Sequence, residues 1–403
     1  MKVLFFSPAY PPEMNDFARG LAEVGASVVG IGDTPAAGLP DKVKRALVDY
    51  IQMPLHDARA IIDAVRQSGH RFDRVECLWE PFVEHAAQVR AALGIPGMSV
   101  DTAVAFRDKE IMKGRVEAAG LRVPHHARAR SADEVRAAAA KFGYPLILKP
   151  IAGAGSADTF RVDDDAALEI ALQKTQHVAE LSVEEFIEGE EFTFDTICIE
   201  GKPVWINVAQ YHPRPLEARS NEWISPITYV LKDLDQPKLR GGIELGYKVL
   251  AAMGMGTGFT HMEWYLKPNG EVVFGEIGGR SPGGHLVDQM NFCADTDLFR
   301  EWARAVCWHD FRGSNERKYN VAIVFKRAQG TGRITRIEGL ERYMAHYGEH
   351  VVAETLLRPG SQRRNWVQTL VSDGFILLRH PDHDFGLHMA EAVGTDIQMY
   401  AGG

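Results

Sequence analysis

An α/β fold in three parts is predicted, with an open α/β unit first, a larger α+β unit in the middle and a mainly β unit at the C terminus. Three observations carry it. Residues 1–98 alternate short apolar runs with helical periodicity, residues 99–310 mix amphipathic helices with hairpin-like pairs, and residues 311–403 are rich in strand patterns. A chain of 403 residues, 45% hydrophobic and 25% charged, is long enough for two or three domains with a substantial core.

The first unit opens with a buried strand at Lys2 to Ser7. A helix over Glu13 to Val24, ended by Gly25, and a strand over Ser27 to Ile31 follow. Strand, helix, strand implies a parallel sheet. A helix around Asp57 to Ser68, an apolar stretch from Arg74 to Leu78 and a helix from Pro81 to Leu93 complete the unit. Ser7-Pro8-Ala9-Tyr10-Pro11-Pro12 stands where a dinucleotide fold would carry G-x-G-x-x-G, which argues against a dinucleotide in that crevice.

The second unit begins with one helix from Thr102 through Gly120, with Lys109 and Lys113 on one face. Ser131, with Glu134 three positions on, caps a helix to Phe142; strand Tyr144 to Lys149 and a glycine loop over 152–156 come next. Strands are expected at Thr159 to Val162 and Leu181 to Phe186, then a hairpin of Phe192 to Glu200 with Lys202 to Ala209. Residues 212–226 read as a polar loop before a helix around Gln236 to Met253. Lys267-Pro268-Asn269-Gly270 is turn chemistry that pairs Phe259 to Leu266 with Glu271 to Ile277. In the last unit, strands include Asn320 to Lys326 and Gly374 to Arg379, with helices near Leu340 to His346 and Phe385 to Val393.

The hairpin of residues 259–277 places Glu263 beside Glu276, and two carboxylates that close are stable when a cation lies between them; hard oxygen ligands suit Mg²⁺ held with substrate phosphates. Arg280, flanked by glycines, offers a planar fork to a carboxylate or phosphoryl group. Lys149 ends a strand and precedes Gly153, Gly155 and Ser156, whose small side chains expose backbone N–H groups to phosphate oxygens, although no Walker loop is present. The end of strand Glu184-Glu185-Phe186-Ile187 can offer backbone groups to an adenine edge, and Glu191 can accept from ribose hydroxyls. Each block alone also reads as a solvated turn or surface ion pair.

Together, in this order, Asp108-Lys109 before a helix, Lys149 before its glycine flap, Glu184 to Ile187 with Glu191, and Glu263 with Glu276 and Arg280 resemble the ATP-grasp superfamily. The likeness covers about residues 100–310. The carboxylate–amine ligase type of that family includes L-amino-acid ligases, D-alanine:D-alanine ligase and biotin carboxylase. The resemblance implies a pre-ATP-grasp α/β domain at 1–98 and a two-lobed ATP-grasp domain at 99–310. Its smaller lobe, 126–190, would be mobile and close over ATP, and a C-terminal cap would occupy 311–403. It further implies Lys109 and Lys149 on phosphates, Glu184 and the Glu185 to Ile187 backbone at adenine, Glu191 at ribose, Glu263 and Glu276 on Mg²⁺ (or Mn²⁺), and Arg280 on an acyl phosphate. Gly278 stands where the family often has Asn, so ligation of a second metal is left open. Ser156-Ala157-Asp158 stands where a further glycine is frequent.

The reaction implied is ATP-dependent activation of a carboxylate and its coupling to an amine, with release of ADP. Two alternatives stay open: a bicarbonate-activating carboxylase, and a non-catalytic nucleotide-binding regulator, for which Gly278 is the argument. Arg214, Asn221 and His285 are the candidates for meeting the substrate, while His261 is either a ligand-orienting group or a satisfied core histidine. The net charge of −9 and pI near 5.9 argue against a general nucleic-acid or membrane partner. Four dispersed cysteines without a C-x-x-C pair, and no signal-like or membrane-length apolar run, predict a cytoplasmic protein acting on small molecules, with a homodimer as the assembly considered.

Overall fold

Parallel pairing, inferred above from strand–helix–strand order, is what the computed structural model shows; it describes residues 1–152, 158–369 and 371–403. The N-terminal elements are β1 (Lys2–Phe6), α1 (Met14–Glu23), β2 (Ser27–Gly32), α2 (Asp41–Ala46), β3 (Leu47–Gln52), α3 (Ala58–Gln67), β4 (Arg74–Glu76) and α4 (Val83–Leu93). Their four strands form one parallel sheet in the order β3-β2-β1-β4. Asp57 caps α3 by accepting from the N–H groups of Arg59 and Ala60, and Gly25 takes φ +86°, which a side chain would resist, to end α1.

The helix expected over 102–120 is two helices, α5 (Val100–Arg107) and α6 (Lys109–Ala118). Asp108 breaks the run because its carboxylate caps α6, accepting from Glu110 N and Ile111 N at 3.0 Å each. A small antiparallel sheet follows, made from β5 (His126–Ala129), β6 (Leu146–Pro150), β7 (Phe160–Val162) and β8 (Leu181–Glu185) in the order β5-β8-β6-β7. One face packs against α7 (Ala132–Phe142) and α8 (Asp165–Lys174), in a core containing Val135, Leu146, Leu148, Leu168 and Val183.

The large sheet contains β9 (Glu190–Ile199), β10 (Lys202–Asn207), β11 (Ala209–His212), β12 (Ile227–Val230), β13 (Gly258–Leu266) and β14 (Val272–Gly278). The single strand expected over Lys202 to Ala209 is therefore divided, and the loop expected over 212–226 holds a short helix, α9 (Pro215–Ser220), with Pro215 at its first position. Helices α10 (Pro237–Met253), α11 (Leu286–Ala294) and α12 (Leu298–Trp308) flank this sheet. It then continues past residue 310 through β15 (Asn320–Phe325) and, after β16 (Gln329–Gly330), β17 (Arg333–Glu338) and α13 (Leu340–Tyr347), through β18 and β19. Here β18 is Val351–Glu354 and β19 is Phe375–His380. The order is β14-β13-β9-β11-β12-β15-β19-β18, with β10 added to β9. Helix α14 (His383–Asp396) and β20 (Gln398–Gly402) close the chain, β20 lying between β16 and β17.

The N-terminal unit is locked to the large sheet by aromatic packing. Phe17 of α1 meets Phe299 and Trp302 of α12 at centroid distances of 4.8 and 5.0 Å, and Phe259 of β13 at 6.5 Å. Arg19 adds a bond to Asp297 at 2.9 Å. Among the described residues no helix is long and apolar enough to cross a membrane.

Candidate functional site

The site follows from how β9, β13 and β14 divide their faces. Phe192, Phe194, Met262, Trp264 and Ile277 point into the main core. The alternate residues, Glu191, Thr193 and Asp195 on β9, His261, Glu263 and Tyr265 on β13, and Glu276 and Gly278 on β14, share the opposite face. Glu263 and Glu276 are register partners, as the hairpin pattern predicts. A bulge makes this possible: Gly275 is skipped between Glu276 and Phe274, and a Cβ there would stand 2.8 Å from Glu263 O.

A sheet face carrying four acids, Glu191 and Asp195 of them buried, is stable only if cations reach it. Lys109 comes from the first turn of α6, whose N–H bonds Ile151 O at 3.3 Å, so the end of β6 and the start of α6 are tied together. Lys149, on β6, then lies 3.1 Å from Glu184 Oε2 and 3.6 Å from Glu276 Oε2, and Lys109 lies 3.6 Å from the same Glu276 oxygen. Lys113, fully buried one turn further along α6, donates to Glu184 Oε1 at 2.9 Å, and Ser182 donates to that oxygen at 2.8 Å. Burial alone would raise both carboxyls, but the lysines outweigh it. Glu276 is held at about 2, and Glu184 is pulled well below the usual range. Lys149 is raised in return, the two acids outweighing its burial, whereas burial leaves Lys113 lowered.

Glu191 is placed differently. Burial and the Glu263 charge push its carboxyl up to about 7, against the pull of Arg214, whose Nε donates to it at 2.9 Å. Arg214 also donates to Ile187 O at 2.7 Å and lies between the rings of Phe186 and Tyr265, 5.0 and 4.8 Å from their centroids. His261 bonds Asp195 at 2.6 Å and approaches Glu263 at 3.7 Å. Burial works against its charge, but these two acids raise it to about 9. Tyr211 donates to Glu263 at 3.2 Å.

Lys109, Lys149, Glu184, Glu191, Tyr211, Arg214, His261, Glu263 and Glu276 line one cavity of about 430 Å³, which Arg280 and Glu80 also line. Glu80 comes from the C-terminal edge of the parallel sheet and binds Arg280 Nε at 2.7 Å and Arg107 at 2.6 Å. Arg280 is raised, its burial outweighed by Glu80. Beside it Ser281 lines the cavity, its hydroxyl buried and, among the described residues, without a hydrogen-bond partner.

The structure brings Lys109, Lys149, Glu184 to Ile187, Glu191, Arg214, Glu263, Glu276 and Arg280 to this cavity. Gly153, Gly155 and Ser156 lie outside the described residues. Two candidates are not among its lining residues. Asn221 does not line the cavity, because its Nδ2 closes α9 on Glu217 O at 2.9 Å. His285 does not line it either: its ring bonds Asp288 at 2.9 Å and packs 4.8 Å from Phe375. Sequence reasoning missed Glu80, Ser182 and Tyr265; only Glu80, at the mouth of a parallel-sheet crevice, carried a signal that could have found it.

The donor set fits a magnesium–nucleotide complex. Among the described residues no three His, Cys, Asp or Glu side chains form a metal cage, but Glu263 and Glu276 form an adjacent pair backed by ammonium groups. Mg²⁺ commonly takes one or two carboxylates and completes its shell with water and phosphate oxygens.

Residues 142–289 match the family described as an ATP-grasp domain. The chain is 27% identical over 222 residues to an L-arginine-specific L-amino acid ligase of Bacillus subtilis, covering 53% of each protein. It is 24% identical over 291 residues to the alanine–anticapsin ligase of Bacillus subtilis strain 168, covering 67% of this chain and 61% of that one. The chain thus spans little more than half the length of these curated relatives. Among solved structures, an L-amino acid ligase from Bacillus licheniformis superposes with a TM-score of 0.80 at 20% identity, covering 100% of this chain and 99% of the other. The N5-carboxyaminoimidazole ribonucleotide synthetase of Thermotoga maritima gives 0.73 at 18% identity, with the same coverage. The fold is shared with both.

Proposed function

We propose, from the match of residues 142–289 to an ATP-grasp domain and the likeness to an L-amino acid ligase, that the chain uses ATP to activate a substrate carboxylate and couples the product to an amine, releasing ADP. The observation that carries this reading is the convergence of Glu263, Glu276, Lys109, Lys149 and Arg280 on one cavity. Magnesium-bound ATP would supply the γ-phosphoryl group, which passes to a carboxylate oxygen to give an acyl phosphate.

Lys109 and Lys149 would neutralise phosphate charge, and the low value of Glu276 keeps that carboxylate ionised for a cation at any physiological pH. Phe186, Ile187 and the Arg214–Glu191 pair would frame the base and ribose. Arg280, with Ser281 beside it, is suited to charge developing on the transferred group. The amine nitrogen then attacks the carbonyl carbon, phosphate leaves and the nitrogen gives up a proton; no protein nucleophile enters. The division at 1–98, 99–310 and 311–403 belongs to the same proposal. The separate core of the small sheet supports a lobe at 126–190 that closes over the nucleotide.

ADP release, measured over pairs of amino acids with ATP and Mg²⁺, tests the reading. Release that needs both an acid and an amine is expected. Release with bicarbonate alone would replace the ligase by a carboxylase, and absence of release with every pair would leave a nucleotide-binding regulator.

A further inference from the structure

Two arginines in the cavity stand apart from the phosphate apparatus. Arg219, in α9, and Arg327, just beyond β15, both line it. Arg327 donates to Ala218 O at 2.7 Å and Asn221 O at 2.9 Å, and its guanidinium lies 4.6 Å from the Trp366 ring centroid. Arg219 donates to Val367 O at 2.8 Å. Among the described residues neither forms an ion pair with a carboxylate. Glu222 and Asp373, whose charges reach Arg327, are engaged by Arg363. Burial lowers Arg219, and burial with the charges of Arg219 and Arg363, outweighing the pull of Glu222 and Asp373, brings Arg327 down to about 10.

Half-buried guanidinium groups held side by side on backbone carbonyls, with no carboxylate in salt-bridge reach among the described residues, are costly unless an anion arrives. Their planar N–H forks match a carboxylate, and Trp366 fixes the plane of one of them. Phosphate has its own lysines elsewhere, Lys109 and Lys149, which pair with Glu184 and Glu276 and not with this cluster.

We propose that Arg219 and Arg327 clamp a second, non-reacting carboxylate carried by one of the substrates. The assignment of that carboxylate to a substrate rests on the ligase reading. It comes either from the acid, which is then a dicarboxylate, or from the amine, which is then an amino acid. Binding to the full chain without ATP, followed by calorimetry, separates the two sources. One arm compares succinate and glutarate with their monoamides. The other compares the L-amino acids with their α-carboxamides.

At least one arm should show a preference for the free carboxylate of about tenfold or more, the scale of a charge-assisted hydrogen bond. Arg327→Gln should reduce that preference to near one. Arg219→Gln, which leaves the Arg327 bonds to α9 intact, should reduce it as well, so loss of folding in one variant does not decide the matter. Equal binding of acid and amide, binding by neither, or a preference that survives both substitutions overturns the clamp. ADP release measured in parallel keeps the two readings distinct. An arginine-dependent preference without ADP release from any pair leaves the clamp standing and removes the ligase; ADP release without the preference does the reverse.

Discussion

Glu184 shows how much a single side chain carries here. It is buried with Lys113, Lys149 and Ser182 all directed at its two oxygens. Glu184→Gln leaves Lys113 buried without a bonded carboxylate, and the loss should approach the about 3–5 kcal/mol typical of a broken buried pair. Lys113→Met should cost less, because Glu184 keeps Lys149 and Ser182. Urea midpoints at unchanged m-value measure both losses, and equal losses would refute the asymmetry. The pH dependence has a definite sign. A carboxyl pulled below its ordinary value of 4.5 adds stability above that pH and loses it as the pH falls toward the folded value. The wild type should therefore lose its advantage over Glu184→Gln as the pH drops below 4.5, as acid unfolding curves would show. The pairing of Lys109 and Lys113 on one helix face made this cluster partly legible in the sequence. The identity of the Lys113 partner was not, because Glu184 lies 71 residues from Lys113 and only the fold joins them.

At the level of elements, the hairpin of β13 and β14 was the most legible feature, since turn residues and strand alternation both specify it. What the alternation hides is the bulge at Gly275, where the absence of a side chain lets Glu276 return to register with Glu263. Gly275→Ala forces a methyl group against the Glu263 carbonyl. A loss of about 1–3 kcal/mol is expected, with a larger fall in ADP release than in nucleotide-free stability, because the two carboxylates would move apart. A variant with wild-type melting and turnover would show that the bulge is not needed. The breaks at Asp108 and within residues 202–212 were illegible for a related reason: one capping side chain or one irregular residue interrupts a pattern that otherwise continues. The six-residue α9 is too short for periodicity to register, yet it holds Arg219 at the cavity.

Across the whole molecule, the cavity is completed by residues that no local pattern connects. Glu80, from the N-terminal parallel sheet, holds Arg280, 200 residues later in the chain, and Arg107 on α5 as well. The N-terminal unit therefore does more than pack through Phe17 and Arg19; it sets the direction of a guanidinium that lines the cavity. Removing the guanidinium and releasing it should differ in kind. Arg280→Ala should lower turnover about 10²-fold or more, the scale of a lost transition-state donor, with little change in nucleotide affinity. Glu80→Gln keeps the donor but frees its orientation, so turnover should fall by less, about tenfold, within the range that misplacement alone can produce. The double variant should be no worse than Arg280→Ala, since Glu80 acts on turnover only through Arg280. Steady-state ADP release for the four proteins decides this, with melting temperatures run alongside. Additive losses would mean that Glu80 meets the substrate directly, and unchanged turnover in Glu80→Gln would remove the N-terminal unit from catalysis.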